Sequence, residues 1–406
     1  MSAGPRGNLI VGQSGGPTAV INSSLAGVVL EALEHEAIEE ILGMVHGVEG
    51  LLREDLIDLG RQSAATIAGL RSTPSAALGS GRYKLTDADY EQLLGKLAAY
   101  DIRYFIYIGG NDSADTAARL GRLAAERGYD LRVMSVPKTV DNDLVETDHC
   151  PGYGSVARWL AIAVRDAGLD TEAIGVVDTV KIIETMGRNT GWITAATALA
   201  RDHDDAAPHL IYLPERPLVR ERFLADVERV YRRLGHVVIT VCEGLRDERG
   251  EYVSASGRTV DVDRFGHKQL GGVGAALCAM VGEGLGIKAR SDTPGTIQRV
   301  SMLAASPVDL EEAYEVGRAA VRHAVAGEDG TMVTLVRASS DPYGCVTGLA
   351  PLERIANAER SVPDEFIAPD GHDVSEAFLA YARPLIGGPL PPYARLERTR
   401  VGQRTG

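Results

Sequence analysis

The side chains best suited to chemistry are concentrated in residues 137–143, which read Pro-Lys-Thr-Val-Asp-Asn-Asp. Asp141 and Asp143 lie two positions apart, so in an extended loop both carboxylates point the same way. Such a pair can divide the work of a general base from that of orienting a substrate or binding a metal ion. Lys138 and Thr139 add a positive charge and a hydroxyl group. The alternative is an ordinary polar turn, because Asp and Asn are common turn residues.

The element that must position these side chains is the apolar run at residues 131–136, which reads as a buried strand. Pro137 ends that strand because proline has no N–H group to donate to a neighbouring strand. The acidic stretch therefore follows the carboxyl end of a strand. In open α/β sheets, that end is where ligands bind.

A glycine-rich turn at residues 12–18 joins a short strand to a helix predicted at residues 19–34, with Pro17 suited to the first helical turn. Backbone N–H groups and a helix N-terminus at such a turn attract anions such as phosphate. The turn also matches G-x-S-x-G around Ser14, the pattern of the nucleophile turn of serine hydrolases. That reading ranks second, because the turn follows the first strand and nothing in the sequence marks a histidine partner.

A second glycine turn, residues 109–113, joins the clearest strand of the sequence, residues 102–108, to a helix predicted at residues 114–127. Asp112 at this turn would suit a metal ion lying between the carboxylate and a bound phosphate. The alternative is that Asp112 or Ser113 is the N-cap of the helix.

Polar residues also follow predicted strands in the second half of the chain. Arg188 follows a strand predicted within residues 174–183, and its glycine neighbours suit a guanidinium group that binds phosphate, unless it caps local carbonyl groups at the surface. Glu243 follows a strand predicted at residues 236–241, where it could accept hydrogen bonds from sugar hydroxyls. Alternation of strands and helices predicts an α/β fold with mostly parallel sheets flanked by helices.

Composition narrows the class of protein. The chain has 406 residues, enough for two domains, and a net charge of −14, which argues against nucleic acid or an anionic membrane as the main partner. Its four cysteines form no C-x-x-C pair, which fits a reducing compartment. No apolar run is long enough to span a membrane, and residues 1–6 have no apolar signal segment. We therefore expect a cytoplasmic protein.

Together these motifs resemble the phosphofructokinase family, and within it the pyrophosphate-dependent branch. The resemblance covers about residues 8–300, and it is specific because its motifs occur in the family's order. The motifs are Ser14-Gly15-Gly16-Pro17, Gly79-Ser80-Gly81-Arg82, Gly109-Gly110-Asn111-Asp112-Ser113, residues 137–143, Met186-Gly187-Arg188, Glu243-Gly244 and Gln298-Arg299.

The resemblance implies reversible phosphoryl transfer from pyrophosphate to the 1-hydroxyl of fructose 6-phosphate, in glycolysis and gluconeogenesis. It also implies a two-lobed phosphofructokinase-like fold with the active site in the cleft between the lobes. The donor-binding lobe would comprise residues 1–150 and part of about 300–340, and the fructose 6-phosphate-binding lobe residues 151–299 and C-terminal segments. Residues 384–406 are predicted to form an extended, poorly packed tail.

The resemblance further implies a role for each motif. Asp141 would be the base that takes the proton from the sugar hydroxyl. Thr139 and Asp143 would position the phosphoryl group and its Mg²⁺, and Arg188 would stabilise charge on that group. The donor would be held by Gly15, Gly16 and Arg82. The sugar phosphate would be held by Met186, Gly187, Glu243, Thr296, Arg299 and, from a neighbouring subunit, Arg290, which implies a homodimer or homotetramer with shared active sites.

Two positions bear on the donor. Lys138 and Asp112 stand where ATP-using relatives typically have glycine. A side chain at Asp112 would fill the space of an ATP α-phosphate and its charge would repel one, whereas Lys138 would stabilise the phosphate that leaves pyrophosphate. Because some relatives of this branch use ATP, an ATP-dependent phosphofructokinase is the alternative.

The sequence departs from the family pattern at three positions. Asn111 stands where the family often has a metal-holding Asp, so the expected Mg²⁺ ligands are Asn111, Asp112 and Asp143. Thr296 replaces a frequent sugar-phosphate histidine, and Thr179 replaces a subunit-bridging arginine of bacterial ATP enzymes. We therefore expect the phosphate clamp to be built somewhat differently.

Overall fold

The computed structural model describes residues 4–81, 83–175, 177–254, 270–397 and 399–402. Within these ranges the chain forms two β-sheets with helices packed on their faces. The strands are β1 (Gly7–Gln13), β2 (Ile38–Met44), β3 (Leu56–Asp58), β4 (Ile102–Gly109), β5 (Arg132–Pro137), β6 (Val180–Thr185), β7 (Leu210–Tyr212), β8 (Val237–Cys242), β9 (Ala289–Asp292), β10 (Thr331–Ser340) and β11 (Tyr343–Pro351). The α-helices are α1 (Ile21–Ala32), α2 (Val48–Arg53), α3 (Ala64–Leu70), α4 (Asp87–Ala99), α5 (Asn111–Glu126), α6 (Tyr153–Ile174), α7 (Trp192–Ala196), α8 (Arg220–Leu234), α9 (Val273–Leu285), α10 (Ile297–Val300), α11 (Pro307–Val325), α12 (Leu352–Ile355) and α13 (Glu376–Ala382), with 3₁₀ turns at Thr197–Ala200, Asp364–Phe366 and Pro384–Ile386.

The larger sheet has the strand order β11-β10-β5-β4-β1-β2-β3. Its inner strands pair in parallel, while β3 and β11 pair antiparallel at the two edges. Both faces of the sheet are buried beneath helices. Successive residues of β4 point to opposite sides of the sheet and each side enters a core cluster. Ile106 packs in the core cluster beneath α1 and α11, whereas Phe105 packs in the cluster beneath α4 and α5. This burial on both faces explains why the inner strands are continuous apolar runs.

The smaller sheet has the order β7-β8-β6-β9, and all of its strands are parallel. Its core includes Phe223 and Val227 of α8 and Leu277 of α9. A separate apolar cluster joins α6 and α7 to the C-terminal helix α13, with Trp192 and Phe378 at its centre. The C-terminal part of the chain is thereby fixed to the side of the smaller sheet.

This topology brings the polar loops together. Strands β5, β4 and β1 are neighbours, and the backbone hydrogen bonds continue past their ends, from Ser14 N to Ile108 O at 2.9 Å and from Lys138 N to Gly109 O at 3.0 Å. In the smaller sheet, β6 and β8 are neighbours, so the loop that carries Arg188 lies beside Glu243. The prediction of an α/β fold with mostly parallel sheets is confirmed.

Two helix starts differ from the sequence prediction. Helix α1 begins at Ile21 rather than at residue 19, because the Thr18 hydroxyl accepts hydrogen bonds from the N–H groups of Val20 and Ile21. Pro17 therefore precedes the helix. Helix α5 begins at Asn111, and its N-cap is Gly110, so Asp112 and Ser113 belong to the first helical turn and neither is the cap.

The prediction of a poorly packed tail from about Arg383 is wrong at its start. Leu385 and Ile386 are buried in the apolar cluster around Trp192. The Arg158 guanidinium donates to the carbonyl oxygens of Ile386, Gly388 and Pro389, which fastens the tail to α6. In the described part of the chain, no helix combines the length and apolar character needed to cross a membrane.

Candidate active site

A cavity of roughly 350 Å³ lies where strand ends of the two sheets face each other, a volume suited to a small metabolite. Its wall brings together the loops after β1, β4, β5 and β6, together with a segment that follows α12. The lining residues are Ser14, Gly15, Gly16, Gly110, Asn111, Asp112, Ser113, Lys138, Thr139, Val140, Asp141, Asp143, Met186, Arg188, Asn189, Arg299, Asn357, Ala358 and Glu359.

The turn after β1 must be built from glycine because two cations approach it closely. Gly15 has a positive φ of 78°, and a Cβ atom placed on it would lie 2.8 Å from Lys138 Nζ. A Cβ atom on Gly16 would lie 2.7 Å from Arg299 Nη1. Lys138 Nζ donates to the carbonyl oxygen of Gly16 at 3.0 Å, and the Ser80 hydroxyl donates to that of Gly15. The turn is thus held beside two positive charges, as an anion site requires.

The backbone around Asp141 is fixed while its carboxyl group faces the cavity. Its N–H group donates to Thr139 Oγ1 at 3.1 Å, and its carbonyl oxygen accepts from Thr190 Oγ1 at 3.3 Å. The Oδ1 atom is buried and has no hydrogen-bond partner among the described residues. Burial raises the pKa of Asp141 to about 7, and the carboxylates of Asp143 and Glu243 add to this rise. The carboxyl group can therefore accept a proton near neutral pH.

Asp143 lines the same cavity, as the two-residue spacing predicts. Burial raises its pKa, against the opposing effect of a hydrogen bond with Thr139. Asn142 between the two acids turns inward: its φ is 56°, its side-chain oxygen accepts from Cys150 N at 2.9 Å, and its amide donates to the Tyr381 hydroxyl. Because Asn142 is left-handed, its own amide group is buried in the protein while the carboxyl groups of Asp141 and Asp143 on either side of it face the cavity.

Arg188 reaches the cavity from the loop after β6. It has a positive φ of 51°, and its N–H group donates to Glu243 Oε1 at 3.3 Å. A Cβ atom on Gly244 would collide with the carbonyl oxygen of Arg188, so this close approach requires glycine. The cavity wall includes Met186 and Arg188 but not Gly187 or Glu243. In this structure the Glu243 carboxylate holds the arginine loop.

The oxygen atoms at the start of α5 suit a hard cation. Asn111 Oδ1 is buried and has no hydrogen-bond partner among the described residues, and Asp112 lies next to it in the first helical turn. Mg²⁺ is usually held by one or two protein carboxylates together with substrate phosphates. The described residues contain no group of three or more His, Cys, Asp or Glu side chains arranged to hold a metal ion without a substrate. The residues present therefore fit Mg²⁺ bound jointly with a phosphate.

Three residues expected at the sugar phosphate have different positions. Arg299 lines the cavity, whereas Arg290 and Thr296 do not. Arg290 Nη2 lies 2.6 Å from Asp178 Oδ2 of the same chain, and its side chain is about half exposed. Thr296 is exposed at the start of α10. Arg82, expected to hold the donor, lies outside the described residues.

Sequence reasoning missed part of the cavity wall. Asn189 lies beside Arg188, and its amide donates to Glu359 Oε2 at 3.4 Å. Glu359 belongs, with Asn357 and Ala358, to the segment after α12. The position of Asn189 next to a recognised motif was a usable signal. The segment from Asn357 to Glu359 follows no strand and carries no glycine turn, so no local pattern indicates that it lines the cavity.

Comparison with known proteins identifies the family of this chain. The sequence profile of the family described as Phosphofructokinase matches residues 8–324. The chain therefore belongs to the phosphofructokinase family, and the resemblance drawn from its motifs is confirmed.

Two relatives and one solved structure are similar over almost the whole chain. The chain is 43% identical to a pyrophosphate–fructose 6-phosphate 1-phosphotransferase of Xanthomonas campestris pv. campestris, over 98% of both chains. It is also 43% identical to a protein of the same name from Rhodospirillum rubrum, again over 98% of both. The pyrophosphate-dependent phosphofructokinase from Nitrosospira multiformis superposes with a TM-score of 0.87 and 39% identity, over 98% of this chain and 96% of that one.

Proposed function

We propose that this protein transfers a phosphoryl group from pyrophosphate to the 1-hydroxyl group of fructose 6-phosphate, reversibly, giving fructose 1,6-bisphosphate and phosphate. The observation that carries the proposal is the carboxyl group of Asp141. It has a buried oxygen without a partner among the described residues and a pKa of about 7, and it faces the same cavity as Lys138 and Arg188. The names of the relatives support the choice of substrates.

The reaction follows from the charges in the cavity. The oxygen of the sugar 1-hydroxyl attacks one phosphorus atom of pyrophosphate, and its proton passes to the Asp141 carboxylate. The bond from that phosphorus to the bridging oxygen breaks, and phosphate leaves. Arg188 stabilises negative charge on the transferred group, and Lys138 stabilises it on the leaving phosphate. Thr139 and Asp143 position the transferred group.

The residues that would hold Mg²⁺ are Asn111, Asp112 and Asp143, each of which presents an oxygen-bearing side chain to the cavity. When bound, the ion supplies positive charge that offsets the negative charge of pyrophosphate. Three cationic side chains line the cavity among the described residues, namely Lys138, Arg188 and Arg299. Carboxylates line it as well, so an additional cation favours the binding of a highly charged donor.

Pyrophosphate is the donor that the cavity favours. The backbone of Gly15 and Gly16 would bind a phosphate of pyrophosphate beside Lys138. We assign Arg82 to the binding of the same donor. Asp112 places a carboxylate in the first turn of α5, where it would repel the additional phosphate group of a triphosphate donor such as ATP. ATP remains the alternative donor, and its use would require that a triphosphate pass this carboxylate.

We assign the acceptor side to Met186, Arg188 and Arg299, which line the cavity, and to Gly187 and Glu243, which lie in and against the loop of Arg188. Thr296 lies outside the cavity and is not assigned to this side. We assign Arg290 to the site of a neighbouring subunit, since in its own chain it lies outside the cavity and half exposed. The active form is then a homodimer or homotetramer in the cytoplasm. The lobe of the larger sheet binds the donor, and residues 151–299 with C-terminal segments bind the sugar phosphate.

The experiment that tests this proposal compares donors. The purified protein is supplied with fructose 6-phosphate and Mg²⁺, and fructose 1,6-bisphosphate is measured with pyrophosphate or ATP as donor. We expect product with pyrophosphate at a much higher kcat/KM than with ATP. A preference for ATP would overturn the donor assignment, and product from neither would overturn the function. Covalent labelling of Ser14 by a serine-directed inhibitor would favour the hydrolase reading, although among the described residues no histidine lines the cavity.

A further inference from the structure

We propose that Arg360 is a positioning residue that clamps the loop bearing Asp141 and Asp143 in its reactive conformation. The inference rests on the proposed function for its effect on turnover, but the clamp itself is a structural relationship. Arg360 does not line the cavity. It follows Glu359 in the C-terminal segment, more than two hundred residues beyond the acidic loop.

The guanidinium group of Arg360 bonds the acidic loop at both ends. Nη1 donates to the carbonyl oxygens of Thr147 and Asp148, both at 2.8 Å, and Nη2 donates to that of Asn142 at 2.9 Å. The backbone N–H group of Arg360 donates to the carbonyl oxygen of Asp143 at 2.8 Å. Arg360 therefore holds the carbonyl groups of Asn142 and of Asp143, the residue that carries the second carboxylate.

The clamp is supported from behind by Trp192. The guanidinium carbon of Arg360 lies 4.6 Å from the centre of the indole ring, and the indole N–H donates to the carbonyl oxygen of Arg360 at 2.9 Å. Trp192 is buried among Phe366, Phe378 and Tyr381, and it begins α7, directly after the loop of Arg188. Arg360 thus couples the loop of the base to the rigid cluster that carries the phosphate-binding arginine loop.

The clamp adds to the local preferences of the loop. Asn142 adopts φ of 56°, in the left-handed region that non-glycine residues enter uncommonly, although asparagine does so several-fold more often than most. A planar guanidinium group presents several donors in a fixed geometry, so it can hold three carbonyl groups at once, whereas lysine offers a single flexible ammonium group. We therefore expect Arg360 to act through the placement of Asp141 rather than through contact with substrate.

The test uses the full chain with Arg360→Met, Arg360→Lys and, as the matched control, Arg354→Met on the exposed side of α12. Misplacement of a catalytic group by about 1 Å costs roughly 10²-fold in rate. We expect kcat with pyrophosphate to fall by about that factor in Arg360→Met and by less in Arg360→Lys, with little change in KM. Amide hydrogen exchange across residues 141–148 should accelerate in the same order.

The two readouts separate the clamp from the proposed function. If the wild-type protein lacks activity with pyrophosphate, the function fails, and hydrogen exchange still decides the clamp. Exchange in Arg360→Met as slow as in Arg354→Met would overturn the clamp. Faster exchange with unchanged kcat would overturn the role in positioning. If Arg360→Met does not fold, the same comparison is made with Arg360→Lys, and the same outcomes decide.

Discussion

Lys138 Nζ donates to the carbonyl oxygen of Gly16 at 3.0 Å, so a cation that follows β5 reaches the turn that follows β1. The two strands are separated in the sheet by β4. The ammonium group is buried, and glycine at position 15 leaves it the room to approach. This contact places a positive charge against the backbone that would cradle the leaving phosphate.

Lys138→Met should therefore impair catalysis more than binding. Charge on the leaving phosphate is greatest in the transition state, so the ammonium group stabilises that state most. We expect kcat with pyrophosphate to fall by roughly 10²–10³-fold, as on removal of one preorganised charge donor. Steady-state kinetics at varied pyrophosphate concentration measure this. Lys96→Met is the control, since Lys96 pairs with Glu54 on the outside of the protein. A rise in KM with unchanged kcat would contradict the assignment.

We expect Asp112 to determine which donor fits the cavity. Asp112→Gly removes a carboxylate from the first turn of α5, so it should raise the kcat/KM for ATP from a low starting value. The double variant Asp112→Gly with Lys138→Gly should shift the preference towards ATP further than either single change, because both side chains line the same cavity. The ratio of kcat/KM for ATP to that for pyrophosphate is the measurement. An unchanged ratio in the double variant would show that selectivity is set elsewhere.

The raised pKa of Asp141 also predicts how stability depends on pH. Its value is about 7 in the folded protein against an ordinary value of 3.8. Between these pH values the folded state holds a proton that the unfolded chain has released, so Asp141 lowers the free energy of unfolding as pH rises. Asp141→Asn should therefore be more stable than the wild type at about pH 8, by at most about 4 kcal/mol, and the difference should vanish below about pH 4.

Denaturant unfolding at several pH values tests this prediction. Asp89→Asn is a control of opposite sign, because hydrogen bonds from Thr86 at the start of α4 lower the pKa of Asp89. Loss of those bonds to the charged group should reduce stability near neutral pH. Equal stability of Asp141→Asn and the wild type at every pH would contradict the raised pKa.

Much of the site was predictable because parallel strands order their loops. The loops of Ser14, Asp112 and Asp141 follow apolar runs that become neighbouring strands, so their convergence needs no detailed geometry. The start of α5 was misjudged because the N-cap is Gly110, which has no capping side chain to mark it. Local sequence could not place Glu359 or Arg360, because they reach the site through contacts with residues far away in the chain.

If Asp141 is the base of phosphoryl transfer from pyrophosphate, removal of its carboxylate alone should slow turnover. Asp141→Asn keeps the size of the side chain and removes the basic carboxylate. With saturating pyrophosphate, fructose 6-phosphate and Mg²⁺, we predict that kcat falls by roughly 10²–10⁴-fold while fructose 6-phosphate still binds. Turnover close to that of the wild type would show that the proton leaves by another route and that Asp141 is not the base.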